Sequence, residues 1–292
     1  MSYVGRFAPS PTGLLHIGSL TTAVASFLHA RQSAGEWLVR VDDIDPPREV
    51  PGAADAILRT LESLELHWDR EVLFQSQRTE AYAAAAESLL SAGKAFRCTC
   101  SRKQIFEHSG ANAPYPGTCR HLGLSALDSA IRVRVDDDEL RFPDGLQGPT
   151  VRQLAATEGD YVVVRRDGLP AYHLAAVLDD AYQGITDVVR GIDLLDATAV
   201  HVHLQGQLDL PTPRYWHLPV VTHADGQKLS KQTGAEGIPP EAARRFAALT
   251  LRLLGLEVPQ ELAGAPPAEL WSWAGVNWRL QNLERVSAIE LD

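Results

Sequence analysis

The sequence predicts an α/β chain built around a parallel sheet, with a cysteine-bearing α+β insertion and a short helical C-terminal region. Three observations carry this. The first 41 residues alternate strand, loop, helix and strand. Three cysteines, Cys98, Cys100 and Cys119, fall in one Pro/Gly/Asn-rich stretch. The last 60 residues carry apolar residues at helical spacing.

Tyr3 to Phe7 reads as a short apolar strand. Ala8-Pro9-Ser10-Pro11-Thr12-Gly13 cannot continue it as helix, because proline removes donors and glycine frees the backbone. Leu20, Ala23, Val24, Phe27 and Leu28 then repeat with helical period, with Ser19 as the expected N-cap and Gly35 as the stop. Trp37 to Val41 is the next strand. This βαβ unit demands a parallel pair joined by a right-handed crossover. Ligands bind such sheets outside the carboxyl ends of the strands. The Pro9–Gly18 loop and the acidic run Asp42-Asp43-Ile44-Asp45 both lie there.

Ile57, Leu58, Leu61 and Leu64 mark a second helix; Tyr82, Ala86, Leu89 and Leu90 mark a third, stopped by Gly93. From Cys98 the character changes, and Ile131, Val133 and Val135 alternate as a strand. Tyr161–Arg166, Asp167-Gly168 and Ala171–Val177 read as a hairpin. Helical spacing returns at Leu195, Ala199, His203 and Leu204. Trp216–Val221 is a strand feeding the loop from His223 to Thr233, and Phe246, Leu249, Leu253, Trp271, Trp273 and Trp278 follow in helices.

Composition narrows the class. With 27 Lys plus Arg against 37 Asp plus Glu, the net charge is −10, unlike a generic nucleic-acid binder. A local basic face is still compatible with that balance. No run of about 18 apolar residues suggests a membrane span. The N-terminus has no basic region followed by an apolar stretch, so the expected compartment is the cytoplasm. Three cysteines, an odd count, argue against a secreted disulfide framework.

Two stretches carry chemistry. Arg6-Phe7-Ala8-Pro9-Ser10-Pro11-Thr12-Gly13 leads into His16-Ile17-Gly18-Ser19. Glycine lets a phosphate approach the backbone, a helix N-terminus offers free N–H groups, and an imidazole there can donate to a phosphate oxygen. Lys228-Leu229-Ser230-Lys231-Gln232 places two lysines on a loop after a strand, where mobile cations can meet phosphate charge.

Together these resemble the two signature motifs of class I aminoacyl-tRNA synthetases. Arg6–Gly13, Arg40–Asp45 and Lys228–Lys231 resemble the glutamyl branch, in the expected order over residues 3 to about 232. Two departures, Ser19 where the motif has a second histidine and Gln232 at the end of the lysine motif, resemble a short paralogue of that branch, as does Asp45–Gly52.

The resemblance implies a Rossmann-type catalytic domain in two halves, 1–97 and 170–232. It implies a zinc-bearing insertion at 98–169 and a helical region at 233–292 without an anticodon-binding domain. His16 and Lys231 would be catalytic. Pro9, His16, Gly18, Ser19, Lys228, Ser230 and Lys231 would bind ATP, which enters with Mg2+. Arg6, Phe7, Ala8, Pro9, Ser10, Asp42, Tyr172 and Arg190 would bind glutamate, the arginines holding carboxylates and Asp42 the ammonium. The branch usually has Glu where Asp42 stands.

Three thiolates leave a structural Zn2+ one ligand short. His121 is the chemically ordinary choice; the resemblance implies Tyr115 beside Cys98, Cys100 and Cys119, with one zinc per chain. Glutamate would go to the queuosine base of a tRNA(Asp) anticodon stem-loop, bound along a strip including Arg132, Arg134, Arg165 and Arg166. The expected state is a monomer off the membrane. The alternatives are a truncated glutamyl-tRNA synthetase charging a tRNA 3′ end and a non-catalytic RNA-binding paralogue.

Overall fold

The computed structural model describes residues 2–110, 113–223, 226–229, 236–262 and 264–291. β1 (Val4–Phe7) is buried along its length. α1 (Ile17–Gln32) has ten buried residues, among them Leu20, Val24 and Leu28, and packs against β1. β2 (Glu36–Val41) returns parallel to β1. This confirms the opening βαβ unit. The helix start is corrected: His16 is the N-cap and Ser19 the third helical residue, joined in a reciprocal capping box.

α2 (Ala53–Ser63), β3 (Leu73–Phe74) and α3 (Thr79–Ser91) complete the first half. The insertion contributes β4 (Ala95–Cys98), α4 (Arg102–Ser109) and β5 (Ala130–Val133). Then come β6 (Leu140–Asp144), β7 (Gly148–Arg152), α5 (Leu154–Thr157) and β8 (Val162–Val164). The second half holds α6 (Tyr172–Gln183), β9 (Asp187–Gly191), α7 (Leu195–Gln207), β10 (Arg214–Leu218) and β11 (Val220–Thr222). α8 (Ala247–Leu253), α9 (Pro267–Asn277) and β12 (Ala288–Glu290) close the chain.

The main sheet has seven strands in the order β3-β2-β1-β9-β10-β6-β7. All its pairs are parallel except β6–β7. Strand order reverses between β1 and β9. That is where an open α/β sheet leaves a crevice at its carboxyl edge. A second sheet, β4-β5-β8, belongs to the insertion.

Three expectations differ from this architecture. Residues 98–169 do not form a segregated unit, because β6 pairs with β10 and so joins the main sheet. Apolar burial explains this: Val133, Phe142, Val163, Leu174 and Ala199 share one core across the expected boundary. The hairpin expected at 161–177 forms but is cut short: Val164 bridges Pro170 antiparallel, Arg165 N–H donates to the Leu169 carbonyl and Ala171 N–H to the Val163 carbonyl, and the second arm ends there. After Asp167-Gly168 the chain enters α6, whose Leu174, Ala175, Ala176 and Val177 are buried at helical, not alternating, spacing. The strand expected at 216–221 breaks at Pro219 into β10 and β11, and β11 pairs with β12. Among the described residues no helix is long and apolar enough to cross a membrane.

Candidate functional site

A cleft of about 610 Å3 opens at the carboxyl edge where β1 and β9 meet. It is lined by Arg6, Phe7, Ala8, Pro9, Ser10, His16, Gly18, Ser19, Asp42, Tyr172, Arg190 and Lys228, among others. Every described residue expected to contact glutamate or ATP is therefore on its wall. Ser230 and Lys231 lie outside the described residues.

The first motif is built by the helix cap. Ser19 N–H donates to His16 Nδ1 at 3.3 Å, and His16 N–H donates to Ser19 Oγ at 2.9 Å. With Nδ1 accepting, a neutral His16 ring carries its hydrogen on Nε2. Gly18 lets this ring lie close: a Cβ there would sit 3.2 Å from His16 Nδ1 and 4.0 Å from the Leu229 carbonyl. Thus Ser19, the departure from the family motif, orients the histidine that is kept.

Leu229 N–H donates to the Val221 carbonyl, and Ile238 N–H donates to the Leu15 carbonyl. The first bond ties Leu229 to β11, and the second brings the chain beyond the second motif to the first motif. Lys228 Nζ donates to Asp193 Oδ2 at 2.5 Å, at the end of β9.

One wall is a network of paired charges. Arg40 Nε donates to Asp42 Oδ1 at 2.7 Å, and Arg40 NH1 donates to Asp180 Oδ1 at 2.6 Å. Arg6 Nε donates to the same Asp180 oxygen at 3.2 Å. Burial pushes the Asp42 carboxyl above its usual range despite Arg40. Asp180 is equally buried, but two guanidinium groups hold it below that range. Among the described residues, only Arg40 bonds the Asp42 carboxylate and Arg6 bonds only through Nε. The terminal nitrogens of Arg6 and Oδ2 of Asp42 can therefore serve a ligand.

The opposite wall is different. Arg190 is 3% exposed and no carboxylate lies within 4.0 Å of it among the described residues. Its NH1 faces Tyr172 Oη at 3.1 Å and His201 Nδ1 at 3.4 Å. Its NH2 donates to Thr198 Oγ1 at 2.6 Å and to the Leu194 carbonyl at 3.3 Å. Its Nε donates to His217 Nε2 at 3.3 Å. Burial, reinforced by Arg190, lowers the His201 pKa well below its usual value and brings that of His173 down to about 4. Asp180, Arg40, Thr198, His201 and His217 were not expected from sequence. Only Arg40 had a signal, two residues before Asp42; the others stand on distant helices or strands.

The cysteines form a second centre. The Sγ atoms of Cys98, Cys100 and Cys119 lie within 4.8 Å of one another. Tyr115 Oη is 3.4 Å from Cys98 Sγ and 3.7 Å from Cys100 Sγ, and accepts the Cys119 N–H at 2.9 Å. Gly159, with φ +62, runs against Tyr115: an added Cβ would meet its backbone nitrogen at 2.7 Å. Burial pushes the Cys100 thiol up to about 11. Burial also opposes ionisation of Cys119, yet hydrogen bonds from Tyr115, the Thr99 backbone and the other thiols bring it down to about 7. Three soft donors and an oxygen thus converge as a tetrahedral d10 ion requires. His121 is exposed and outside the converging group.

The expected basic strip is largely engaged. Arg132 donates to the Asp160 carbonyl, and its guanidinium lies 4.0 Å from the Tyr115 ring centre. Arg134 donates to the Gly93 and Arg120 carbonyls. Arg165 pairs with Asp45 and Asp167, and Arg166 with Asp128. Acids thus pair Arg165 and Arg166, whereas Arg132 and Arg134 are held by neutral carbonyls and keep their charge.

The family of class I tRNA synthetases (E and Q), catalytic domain, matches residues 3–238. The chain is 50% identical over 284 residues to the glutamyl-Q tRNA(Asp) synthetase of Ectopseudomonas mendocina, covering 97% of this chain and 96% of that one. It is also 50% identical over 288 residues to the protein of that name from Pseudomonas aeruginosa, covering 99% and 97%. In three dimensions it is similar to a glutamate tRNA ligase from Elizabethkingia meningosepticum solved in complex with its amino acid, with TM-score 0.82 and 23% identity. That likeness spans 100% of this chain and 67% of the ligase.

Proposed function

The chain belongs to the class I tRNA synthetases of the E and Q type, and on that premise we propose that it activates glutamate with ATP and passes the glutamyl group to queuosine in tRNA(Asp). The carrying observation is Arg190. A buried cation held only by neutral acceptors is stabilised by an anionic ligand, and Arg190 opens onto the same cleft as Arg6 and the His16 helix cap. Relatives that match nearly their whole length carry the glutamyl-Q tRNA(Asp) synthetase name, which supports the finer acceptor.

In this reading Arg6 and Arg190 hold the two glutamate carboxylates, Asp42 Oδ2 receives the ammonium, and the Tyr172 hydroxyl orients the substrate beside Arg190. Phe7, Ala8, Pro9 and Ser10 shape the floor at the end of β1. ATP enters with Mg2+, its phosphates against Pro9, Gly18 and Ser19. A glutamate α-carboxylate oxygen attacks the α-phosphorus, the bond to the bridging oxygen breaks, and pyrophosphate leaves with the electron pair. His16 donates through Nε2 to phosphate oxygen, while Lys228, Ser230 and Lys231 meet the departing charge. A queuosine hydroxyl then attacks the acyl carbon; an ester forms, AMP leaves and the hydroxyl proton is released. No protein nucleophile is needed, so catalysis is positioning and electrostatics.

Cys98, Cys100, Cys119 and Tyr115 would hold a structural Zn2+, which would tie the insertion loop together. About one zinc per chain is expected by metal analysis. Tyr115→Phe should weaken retention against a chelator, whereas His121→Ala should not; the reverse result would assign the fourth ligand to His121. The chain is proposed to act as a monomer.

The decisive experiment compares glutamate transfer to tRNA(Asp) with and without queuosine and to unmodified tRNA(Glu). Transfer restricted to the queuosine form is expected. A better yield with tRNA(Glu) would mean a shortened glutamyl-tRNA synthetase instead. Absence of glutamate-dependent ATP–pyrophosphate exchange would mean an RNA-binding paralogue.

A further inference from the structure

Behind Arg190 lies a second layer of polar groups. Asp144 ends β6, and its Oδ1 accepts N–H bonds from Leu146 at 3.0 Å, Gln147 at 2.8 Å and His217 at 3.3 Å. Its Oδ2 is 2.6 Å from His217 Nδ1, and both side chains are 0% exposed. Against burial, the His217 side chain and the N–H bonds from Gln147 and Leu146 hold the Asp144 carboxyl below its usual range. An ionised carboxylate has no hydrogen to give, so His217 Nδ1–H is the donor. Burial lowers the His217 pKa, and Arg190 lowers it further against the pull of Asp144. The ring is neutral, and Nε2 is left as an acceptor facing Arg190 Nε at 3.3 Å and Thr198 Oγ1 at 2.8 Å.

We infer that Asp144 and His217 are positioning residues for amino-acid selection, orienting Arg190 through a one-way hydrogen-bond relay while leaving its charge for the carboxylate of the substrate. An acid placed directly on Arg190 would orient it equally well but cancel its charge. One imidazole between them separates the two effects: geometry passes through, and neutralisation is weakened by distance. This rests on the proposed glutamate reading of the cleft.

The proton arrangement makes the inference testable. In Asp144→Asn the three backbone donors select the side-chain carbonyl, so its NH2 faces His217 Nδ1. The imidazole must then carry its hydrogen on Nε2, as when a catalytic Asp→Asn change imposes the wrong histidine tautomer. The Thr198 hydroxyl can turn to the Leu194 carbonyl, 3.1 Å away, and accept that hydrogen. The fold survives, but Arg190 Nε–H loses its acceptor.

Glutamate-dependent ATP–pyrophosphate exchange should show D144N raising the glutamate KM about tenfold, with the ATP KM changed less than twofold. H217L, lacking both functions, should do the same. H217Q, whose amide can donate to Asp144 and accept from Arg190, should recover most of that loss. A merely structural role would raise both KM values in step with lost thermal stability. Unchanged glutamate KM in D144N, or H217Q as impaired as H217L, overturns the relay.

Histidine 15N shifts test it without substrate. His217 should carry hydrogen on Nδ1 in the unaltered chain and on Nε2 in D144N. An imidazolium, or an Nε2–H ring in the unaltered chain, overturns the inference. If the unaltered chain shows no glutamate-dependent exchange, the functional reading fails and the tautomer alone judges the relay.

Discussion

Arg40 and Arg190 are both buried, yet their surroundings are opposite. Arg40 sits between Asp42 and Asp180, with Arg6 sharing the second acid. Two cations meet two anions, and the cluster is neutral within itself. Arg190 has a tyrosine, a threonine, a carbonyl and two histidines, all neutral. The first arrangement closes the wall of the cleft. The second leaves a charge in low dielectric that no acid among the described residues matches and that an anionic ligand can. Burial alone does not tell Arg40 from Arg190; their partners do.

The largest effect should come from removing the unmatched charge. Arg190→Gln is expected to lower kcat/KM for glutamate by about 10^3, the equivalent of about 4 kcal/mol, with a much smaller change in the ATP KM. Steady-state exchange kinetics check this. A loss shared equally by both substrates would break the distinction between the walls.

Removing a matched charge should instead show in stability. Asp180→Ala leaves two buried guanidinium groups with one acid between them, at a cost of about 3–4 kcal/mol. Urea denaturation followed by circular dichroism reads it directly. An Asp180→Ala chain as stable as the original, but inactive, would move Asp180 from architecture to substrate binding.

A smaller effect separates the walls by pH. Above pH about 6.5 the Arg190-side histidines are neutral both folded and unfolded, and their contribution to stability is complete. Below it the unfolded chain takes up protons that the folded chain refuses, until pH nears the folded value of about 4 for His173. Stability should therefore fall by about 2 kcal/mol between pH 6.5 and 5 from His173 alone. Denaturation at both pH values, with His173→Phe as control, measures the slope. An unchanged slope in that variant would assign the effect elsewhere.

The local half of this molecule was legible in its sequence. Pro9, Gly13 and the apolar period after Ile17 announce strand, loop and helix, and that loop forms part of the cleft. The three cysteines announce their own convergence. What escaped was everything fixed by pairing between distant segments. Nothing near Asp144 says that β6 joins β10, or that its carboxylate meets His217. Ser19 was misread for a subtler reason. A serine is the commoner N-cap, but here the histidine three residues earlier accepts the N–H and Ser19 answers from the third helical position. Arg190 could be read as a binding residue, but that no acid among the described residues pairs with it is visible only in three dimensions.

The hairpin of β6 and β7 gives the insertion an unusual relation to the rest. The chain leaves the small sheet after β5, adds two strands to the large one, and comes back as β8. Cutting out the cysteine module would thus remove an edge of the catalytic sheet together with Asp144. The two parts are stitched through a shared sheet, not appended.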